Sequence, residues 1–167
     1  MVDEKPSWQM KMTVPLEFGI STINIDLMIQ FYTEVLGLKL VGDNSVPPQT
    51  STRTGATPYG YRIVRLQTPY GERMKLVQAG SPPKQNELPS YVLKRQGFAY
   101  LTFVIADIDG MIDRLRDHGV RLLSGGEKVE MRPGVYGIYS IDPEGNFIEF
   151  VEYPNVASYR PDLYTKL

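Results

Sequence analysis

The side chains that most often carry nucleophilic, redox or transition-metal chemistry are scarce in this chain of 167 residues. It has no cysteine, which excludes disulfides, thiolate metal sites and Cys nucleophiles. Its one histidine, His118, lies in RLRDHGV, the last turn of a predicted helix just before Gly119. An imidazole there supports the helix C-terminus and normally faces water. A Ser-His-Asp triad or a two-histidine iron site therefore has no candidate residues.

With 42% hydrophobic and 22% charged residues the chain has an ordinary globular composition. Its net charge of −1 creates no field that would attract nucleic acid or an anionic membrane. The first 15 residues are too polar for a signal peptide and no apolar run is long enough to span a bilayer, so we expect a cytoplasmic protein.

An internal repeat organises the chain. Residues 17–32, EFGISTINIDLMIQFY, correspond to residues 100–115, YLTFVIADIDGMIDRL, at an offset of 100 − 17 = 83. Each segment begins with the alternation typical of a half-buried strand and continues as a helical pattern. Asn24 and Asp107 stand at the helix entrances, where a short polar side chain caps free N–H groups. Gly37 and Gly119 follow the two helices and suit their C-termini.

The repeat continues through the second part of each half. Residues 59–67 correspond to 133–141, and TPYGERMKLVQ at 68–78 corresponds to DPEGNFIEFVE at 142–152, a shift of 142 − 68 = 74. Each pair contains a strand, a turn with proline and glycine, and a second strand. Each half is therefore predicted to run strand, helix, strand, strand, turn, strand.

These correspondences predict one domain, residues 16–153, made of module 1 (16–79), a Pro-rich linker with a short helical piece (80–97) and module 2 (98–153). Residues 43–60 have the composition of a loop, which acts as a lid or is disordered. An N-terminal arm (1–15) and a C-terminal tail (154–167) exceed what the modules need. They either cover the sheets or support a homodimer.

Two motifs connect the repeat to a known family. FY-x-x-VLG ends the first helix at Phe31–Gly37, and DPEGN-x-IEF covers Asp142–Phe150. With two βαβββ units, the chain resembles the vicinal-oxygen-chelate superfamily of glyoxalases, bleomycin-resistance proteins and extradiol dioxygenases over residues 16–153. The resemblance implies an α+β fold whose two modules form curved mixed sheets around a shared pocket. It is specific for the superfamily and not for one activity.

The resemblance also implies four candidate catalytic residues. Metal-dependent relatives take one ligand from the opening strand and one from the closing strand of each module, typically His, Gln or Glu. The matching positions here are Glu17, Lys75, Tyr100 and Glu149. A lysine ammonium has no lone pair and repels a divalent ion, so Lys75 is expected to replace the metal's charge and no cofactor is expected. If a metal binds, Glu17, Tyr100 and Glu149 would hold it, which favours Mg²⁺ or Mn²⁺.

Further pocket residues follow because residues two apart in a strand share a face. The predicted ligand-binding side chains are Arg73, Ser21, Thr102, Phe147, Tyr139 and Arg65. Apolar walls with hydroxyls and cations suit a small aromatic or amphipathic ligand that has an anionic or carbonyl group. The alternative for the charged members is an exposed sheet face that they merely solvate.

Three functions remain open. The first is a metal-independent small-molecule pocket protein that either sequesters a drug-like compound or isomerises a carbonyl compound through Glu, Tyr and Lys. The second is a metal-dependent lyase or isomerase of the glyoxalase or epimerase kind. The third is a structural module without catalysis. A dioxygenase is disfavoured, because ferrous iron in such a site needs two histidines and a carboxylate.

Overall fold

The computed structural model describes residues 10–94 and 96–164. Module 1 contains four strands and two helices, and the first helix continues directly as a π-helical turn over Phe31–Val35. In chain order these elements are β1 (Glu17–Ser21), α1 (Ile25–Gln30), β2 (Lys39–Val46), α2 (Pro48–Arg53), β3 (Tyr61–Gln67) and β4 (Arg73–Ala79).

Module 2 repeats this order with additions. Its elements are β5 (Tyr100–Val104), α3 (Ile108–Asp117), β6 (Arg121–Leu122), β7 (Val129–Arg132), β8 (Val135–Ile141) and β9 (Phe147–Glu152). A short helix, α4 (Val156–Tyr159), follows in the tail. Turns of 3₁₀ helix cover Val92–Lys94 in the linker, Ser124–Gly126 before β7, and Pro161–Leu163 at the end. The linker turn confirms the short helical piece predicted there.

Two mixed sheets result, and they confirm the predicted α+β class. One sheet has the strand order β1-β4-β3-β2, and the other has β5-β9-β8-β6 with β7 also paired to β8. In each module the opening strand lies parallel to the closing strand, with Glu17 opposite Arg73 and Tyr100 opposite Phe147. The remaining pairs are antiparallel. This topology brings the first and last strands of each repeat side by side.

The helix boundaries follow the predicted signals. The Asn24 side chain accepts a hydrogen bond from the Leu27 N–H, and Asp107 accepts one from the Gly110 N–H. Gly37 and Gly119 have φ values of +75° and +65°, the left-handed backbone that glycine adopts without steric cost. Local sequence therefore specifies where both repeated helices begin and end.

The prediction of a loop over residues 43–60 is wrong in part. Strand β2 extends to Val46 because residues 43–46 pair with β3, and Pro48–Arg53 form a helix. Proline in the first turn of α2 is compatible with a helix, since that position needs no N–H donor. Strand β7 was also not predicted, and it adds a fifth strand to the second sheet.

Both sheets turn one face to a single apolar core. The buried side chains of that core come from α1 and its π-helical turn, from α3, and from alternate positions of the inner strands: Ile25, Met28, Phe31, Tyr32, Val35, Leu38, Val64, Leu66, Met74, Leu76, Ile108, Ile112, Leu115, Ile138, Ile148 and Phe150. The inward positions Met74, Leu76, Ile148 and Phe150 confirm the predicted strand facing. The opposite face of each sheet is therefore directed away from this core.

The predicted arm at residues 1–15 lies mostly outside the described residues, which begin at Met10. None of the helices in the described part of the chain is long and apolar enough to cross a membrane.

Candidate functional site

The outer face of the module 1 sheet carries a group of charged side chains. This basic face consists of Glu17 on β1, Arg65 on β3, and Arg73 and Lys75 on β4. Lys75 Nζ lies 2.9 Å from Glu17 Oε2, and Arg73 Nη1 lies 3.7 Å from Glu17 Oε1. The register places Arg65 directly opposite Lys75, on the same side of the sheet. The structure thus brings together four of the predicted residues.

Lys75 is the main electrostatic partner of Glu17. Its hydrogen bond lowers the pKa of the Glu17 carboxyl below the ordinary value, and the charges of Lys75, Arg73 and Arg65 act in the same direction. Partial burial acts the other way but is outweighed. Glu17 is therefore held as a carboxylate by ammonium and guanidinium groups.

The outer face of the module 2 sheet carries hydroxyl groups around a carboxylate. This phenol face consists of Tyr100 and Thr102 on β5, Tyr139 on β8 and Glu149 on β9. Glu149 is 8% exposed, and its Oε2 accepts a hydrogen bond of 2.7 Å from Thr102 Oγ1. Tyr139 lies opposite Glu149 across β8 and β9, and its ring meets Tyr100 edge-on at a centroid distance of 5.3 Å.

Tyr139 remains a protonated phenol in this environment. Burial raises its pKa well above the ordinary value, and the adjacent Glu149 carboxylate raises it further. A phenol that keeps its proton is a hydrogen-bond donor. The buried Phe147 flanks the group, opposite Tyr100 in the sheet register, and supplies the predicted apolar wall.

The two faces are separate within one chain. Among the described residues, no hydrogen bond, ion pair or ring contact joins the basic face to the phenol face. Both sheets turn their opposite, apolar faces to the shared core, which explains the separation. The four positions implied by the family resemblance therefore form two pairs. Glu17 and Lys75 lie on the basic face, and Tyr100 and Glu149 lie on the phenol face.

Within one chain, the side chains that surround Glu17 and Glu149 are poor ligands for a divalent metal ion. The described residues contain no group of three His, Cys, Asp or Glu side chains placed to bind a common ion. Lys75 occupies the coordination space beside Glu17, where its ammonium would repel a cation. Glu149 is surrounded by hydroxyls and a phenol with a raised pKa, which are weak ligands while protonated.

A well-formed cleft lies elsewhere, between the modules. It has a volume of about 610 Å³, and linker residues 83–88, the turn 142–146 and the helix-side residues Phe31 and Val35 line it. Of the predicted ligand-binding residues, Ser21 at the end of β1 reaches this cleft. His118 is also at its edge, where its Nδ1 contacts the Arg114 carbonyl oxygen at 2.8 Å, as expected for a helix C-terminus.

The contact between the modules uses polar residues that the repeat pattern did not single out. Glu144 accepts hydrogen bonds from Thr22 Oγ1 at 2.7 Å and from the backbone N–H groups of Ile23 and Asn24 at the start of α1. Tyr32 donates a hydrogen bond of 2.9 Å to Asp142 in the buried interior. The polar residues inside the FY-x-x-VLG and DPEGN motifs were the available signal, because buried polar groups need partners.

Comparison with known families agrees with this geometry. Residues 16–150 match the model of the Glyoxalase/Bleomycin resistance protein/Dioxygenase superfamily. The chain belongs to this superfamily. No functionally curated protein matched it.

Solved structures of glyoxalase superfamily proteins share the fold. A glyoxalase family protein from Bacillus cereus has a TM-score of 0.72 and 26% identity, with 86% of this chain and 96% of that chain covered. The trypanothione-dependent glyoxalase I of Leishmania major has a TM-score of 0.62 and 19% identity, with coverage of 90% and 94%. A glyoxalase family protein from Enterococcus faecalis has a TM-score of 0.60 and 20% identity, with coverage of 85% and 98%. The superfamily fold thus extends over nearly the whole of each of these proteins.

Proposed function

We propose that this superfamily member binds a small carbonyl-containing or aromatic compound and isomerises it without a divalent metal. The observation that carries the proposal is the phenol face, where Glu149 is nearly buried beside the protonated phenol of Tyr139 and the hydroxyl of Thr102. A carboxylate and a neutral donor side by side are what proton transfer next to a carbonyl group requires.

The roles follow from the chemistry of the two groups. Glu149 would take a proton from the carbon beside the carbonyl, and Tyr139 would donate a hydrogen bond to the oxygen that gains negative charge. Because the pKa of Tyr139 is raised, it keeps its proton while it stabilises the enolate. Return of the proton from Glu149 to the other side or to a neighbouring atom completes an epimerisation or isomerisation.

The basic face would complete the site from a second copy of the chain. Glu149 has no ion pair within the described residues, and a nearly buried carboxylate without a cation is costly. The basic face has three cationic side chains and one carboxylate, so it is complementary in charge. The edge strands β1 and β5 each have one unpaired edge in the described sheets, a geometry that favours association.

Hydrogen exchange tests the catalytic part of the proposal. The protein is incubated in D₂O with a panel of small aromatic α-hydroxy and α-keto acids, and C–H signals are followed by proton NMR while binding is measured by thermal shift. We expect one class of compound to raise the melting temperature and to exchange. Glu149→Gln should retain binding and lose exchange. The matched control Tyr70→Phe, a phenol that is 78% exposed, should change neither.

Other results identify the alternatives. Binding without exchange would indicate a sequestering protein of the bleomycin-resistance kind, and exchange that is lost in chelator and restored by Mg²⁺ or Mn²⁺ would indicate the metal-dependent lyase or isomerase. No binding by any compound would contradict a small-molecule pocket.

Mixing variants tests the composite site. Glu149→Gln and Lys75→Met proteins, each inactive alone, are refolded together, so that mixed dimers hold one site with neither substitution. Recovery of exchange supports a site shared between copies. If the mixture stays inactive although sedimentation shows mixed dimers, each site lies within one chain.

A further inference from the structure

A row of four residues crosses the module 1 sheet with a distinctive pattern. Gly19 on β1 lies opposite Lys75 on β4, Lys75 lies opposite Arg65 on β3, and Arg65 lies opposite Gly42 on β2. Because residues directly opposite one another share a face, the outer side of this row reads glycine, lysine, arginine, glycine. Two adjacent cations therefore stand between two positions that have no side chain.

The two cations are destabilising neighbours in the isolated chain. Like charges directly opposite each other in a sheet repel, and the Arg65 side chain forms no hydrogen bond or ion pair with any residue that the structure describes. Glu17 compensates Lys75 and lies within 3.7 Å of Arg73, whose Nε already donates to Gln67. Three cations and one carboxylate leave an excess of two positive charges on the basic face.

The glycines leave open space on either side of the cations. A Cβ atom built on Gly19 would have its nearest neighbour, the Lys75 carbonyl oxygen, at 4.0 Å. One built on Gly42 would lie 3.6 Å from Asn44 Nδ2 and 3.8 Å from the Arg65 side chain. Neither residue has a positive φ, so the backbone does not require glycine at these positions. Because glycine has no side chain, the surface of the sheet is instead recessed at Gly19 and Gly42, beside Lys75 and Arg65.

We propose that this row is a cradle for a small dianionic group, such as a phosphate monoester or a dicarboxylate. The guanidinium of Arg65 offers paired donors that match such oxygens, Lys75 adds a compact positive charge, and the glycines admit the bulk of the anion. This inference rests on the proposed function, because it places the anionic end of the ligand on the basic face. The anionic group of the ligand would carry a charge of −2, whereas the reaction proposed at the phenol face does not require that charge.

Inorganic phosphate and malonate are the probes. Binding is measured by calorimetric titration of the full chain at constant ionic strength and about pH 8, where phosphate is a dianion, with acetate as a monoanion control. We expect phosphate or malonate to bind and acetate to bind at least tenfold more weakly. Arg65→Gln should weaken dianion binding by about tenfold, the loss expected for one charge-assisted hydrogen bond.

Gly19→Val separates shape from charge, since it fills the cradle while every charge remains. We expect a loss at least as large as that of Arg65→Gln, with an unchanged melting temperature. Arg53→Gln is the matched control, because Arg53 is an exposed cation in the last turn of α2, away from this row. It should bind as the wild type does.

Equal weakening in Arg53→Gln would show a nonspecific charge effect and overturn the cradle. So would unchanged binding in Gly19→Val, or no binding of either dianion by the wild type. The Glu149→Gln variant distinguishes this inference from the proposed reaction, because it removes a negative charge and should bind the dianions at least as tightly as the wild type, even though hydrogen exchange is lost. If the dianions bind but no compound exchanges, the proposed reaction fails and the cradle stands.

Discussion

Removal of the Glu144 carboxylate should loosen the contact between the two modules. Its oxygens accept hydrogen bonds from the Thr22 hydroxyl and from two backbone N–H groups at the start of α1. These donors belong to module 1, whereas Glu144 belongs to the turn before β9 in module 2. The substitution Glu144→Ala therefore deletes an acceptor that both modules share and leaves the apolar core intact.

The expected cost can be worked from the burial of the donors. The Thr22 side chain is fully buried, so its hydroxyl would lose its acceptor without gaining water, at about 1–3 kcal/mol. A negative charge next to a helix N-terminus adds about 0.3–1 kcal/mol. Asn24 is exposed, and water can replace the carboxylate at its N–H. We expect Glu144→Ala to lower the free energy of unfolding by about 1.3–4 kcal/mol.

Urea unfolding at neutral pH measures this loss, and thermal unfolding should show a decrease of several degrees in melting temperature. Thr22→Val and the double variant complete a mutant cycle, for which we expect a coupling free energy of about 1 kcal/mol or more. Glu127→Ala is the control, because its ion pair with Arg116 is exposed and should contribute less than about 1 kcal/mol. A Glu144→Ala protein as stable as Glu127→Ala, with no coupling to Thr22, would refute the reasoning.

Two further predictions concern the same contact. Burial raises the pKa of Asp142 despite its hydrogen bonds, so its contribution to stability is fully present below its unfolded value near 3.8 and is lost as pH rises through the folded value. The unfolding free energy of the wild type minus that of Asp142→Asn, measured by urea unfolding, should therefore be larger at pH 4 than at pH 7. An equal difference at the two pH values would contradict this prediction. Arg114 donates from Nε to the Val35 carbonyl oxygen at 2.6 Å and also bonds the Glu34 carbonyl. Arg114→Met should cost about 1–2 kcal/mol in the same assay, and a neutral substitution would show that water satisfies these carbonyls.

The repeat made most of the fold predictable. Hydrophobic alternation, the caps at Asn24 and Asp107, and the glycines at 37 and 119 are local signals, and each agrees with the structure. Strands β3 and β8 begin and end at equivalent positions, as the offset of 74 residues required. The prediction of a loop over residues 43–60 was wrong in part. Its Pro, Ser, Thr and Gly residues favour loops, but pairing with β3 extended β2 to Val46.

The candidate site was predictable at the level of strands and faces. Strand periodicity correctly placed Lys75 and Glu149 on the faces opposite Met74 and Ile148. The ion pair of Lys75 with Glu17 depends on the parallel pairing of β1 with β4, which the order of elements in the repeat did not specify. The hydrogen bond from Thr102 to Glu149 depends on rotamers and distances that a strand pattern does not contain.

The sequence by itself determined the repeat, the boundaries of its two equivalent helices and the inward or outward direction of the residues on the closing strands β4 and β9, because helix caps and strand alternation depend on neighbours within a few positions of the chain. The tertiary structure decided how the modules meet. Their contact rests on hydrogen bonds between residues more than a hundred positions apart, from Thr22 to Glu144 and from Tyr32 to Asp142. Because that contact joins the apolar faces into one core, the basic and phenol faces are separate within a chain, and periodicity alone contains no information about this packing.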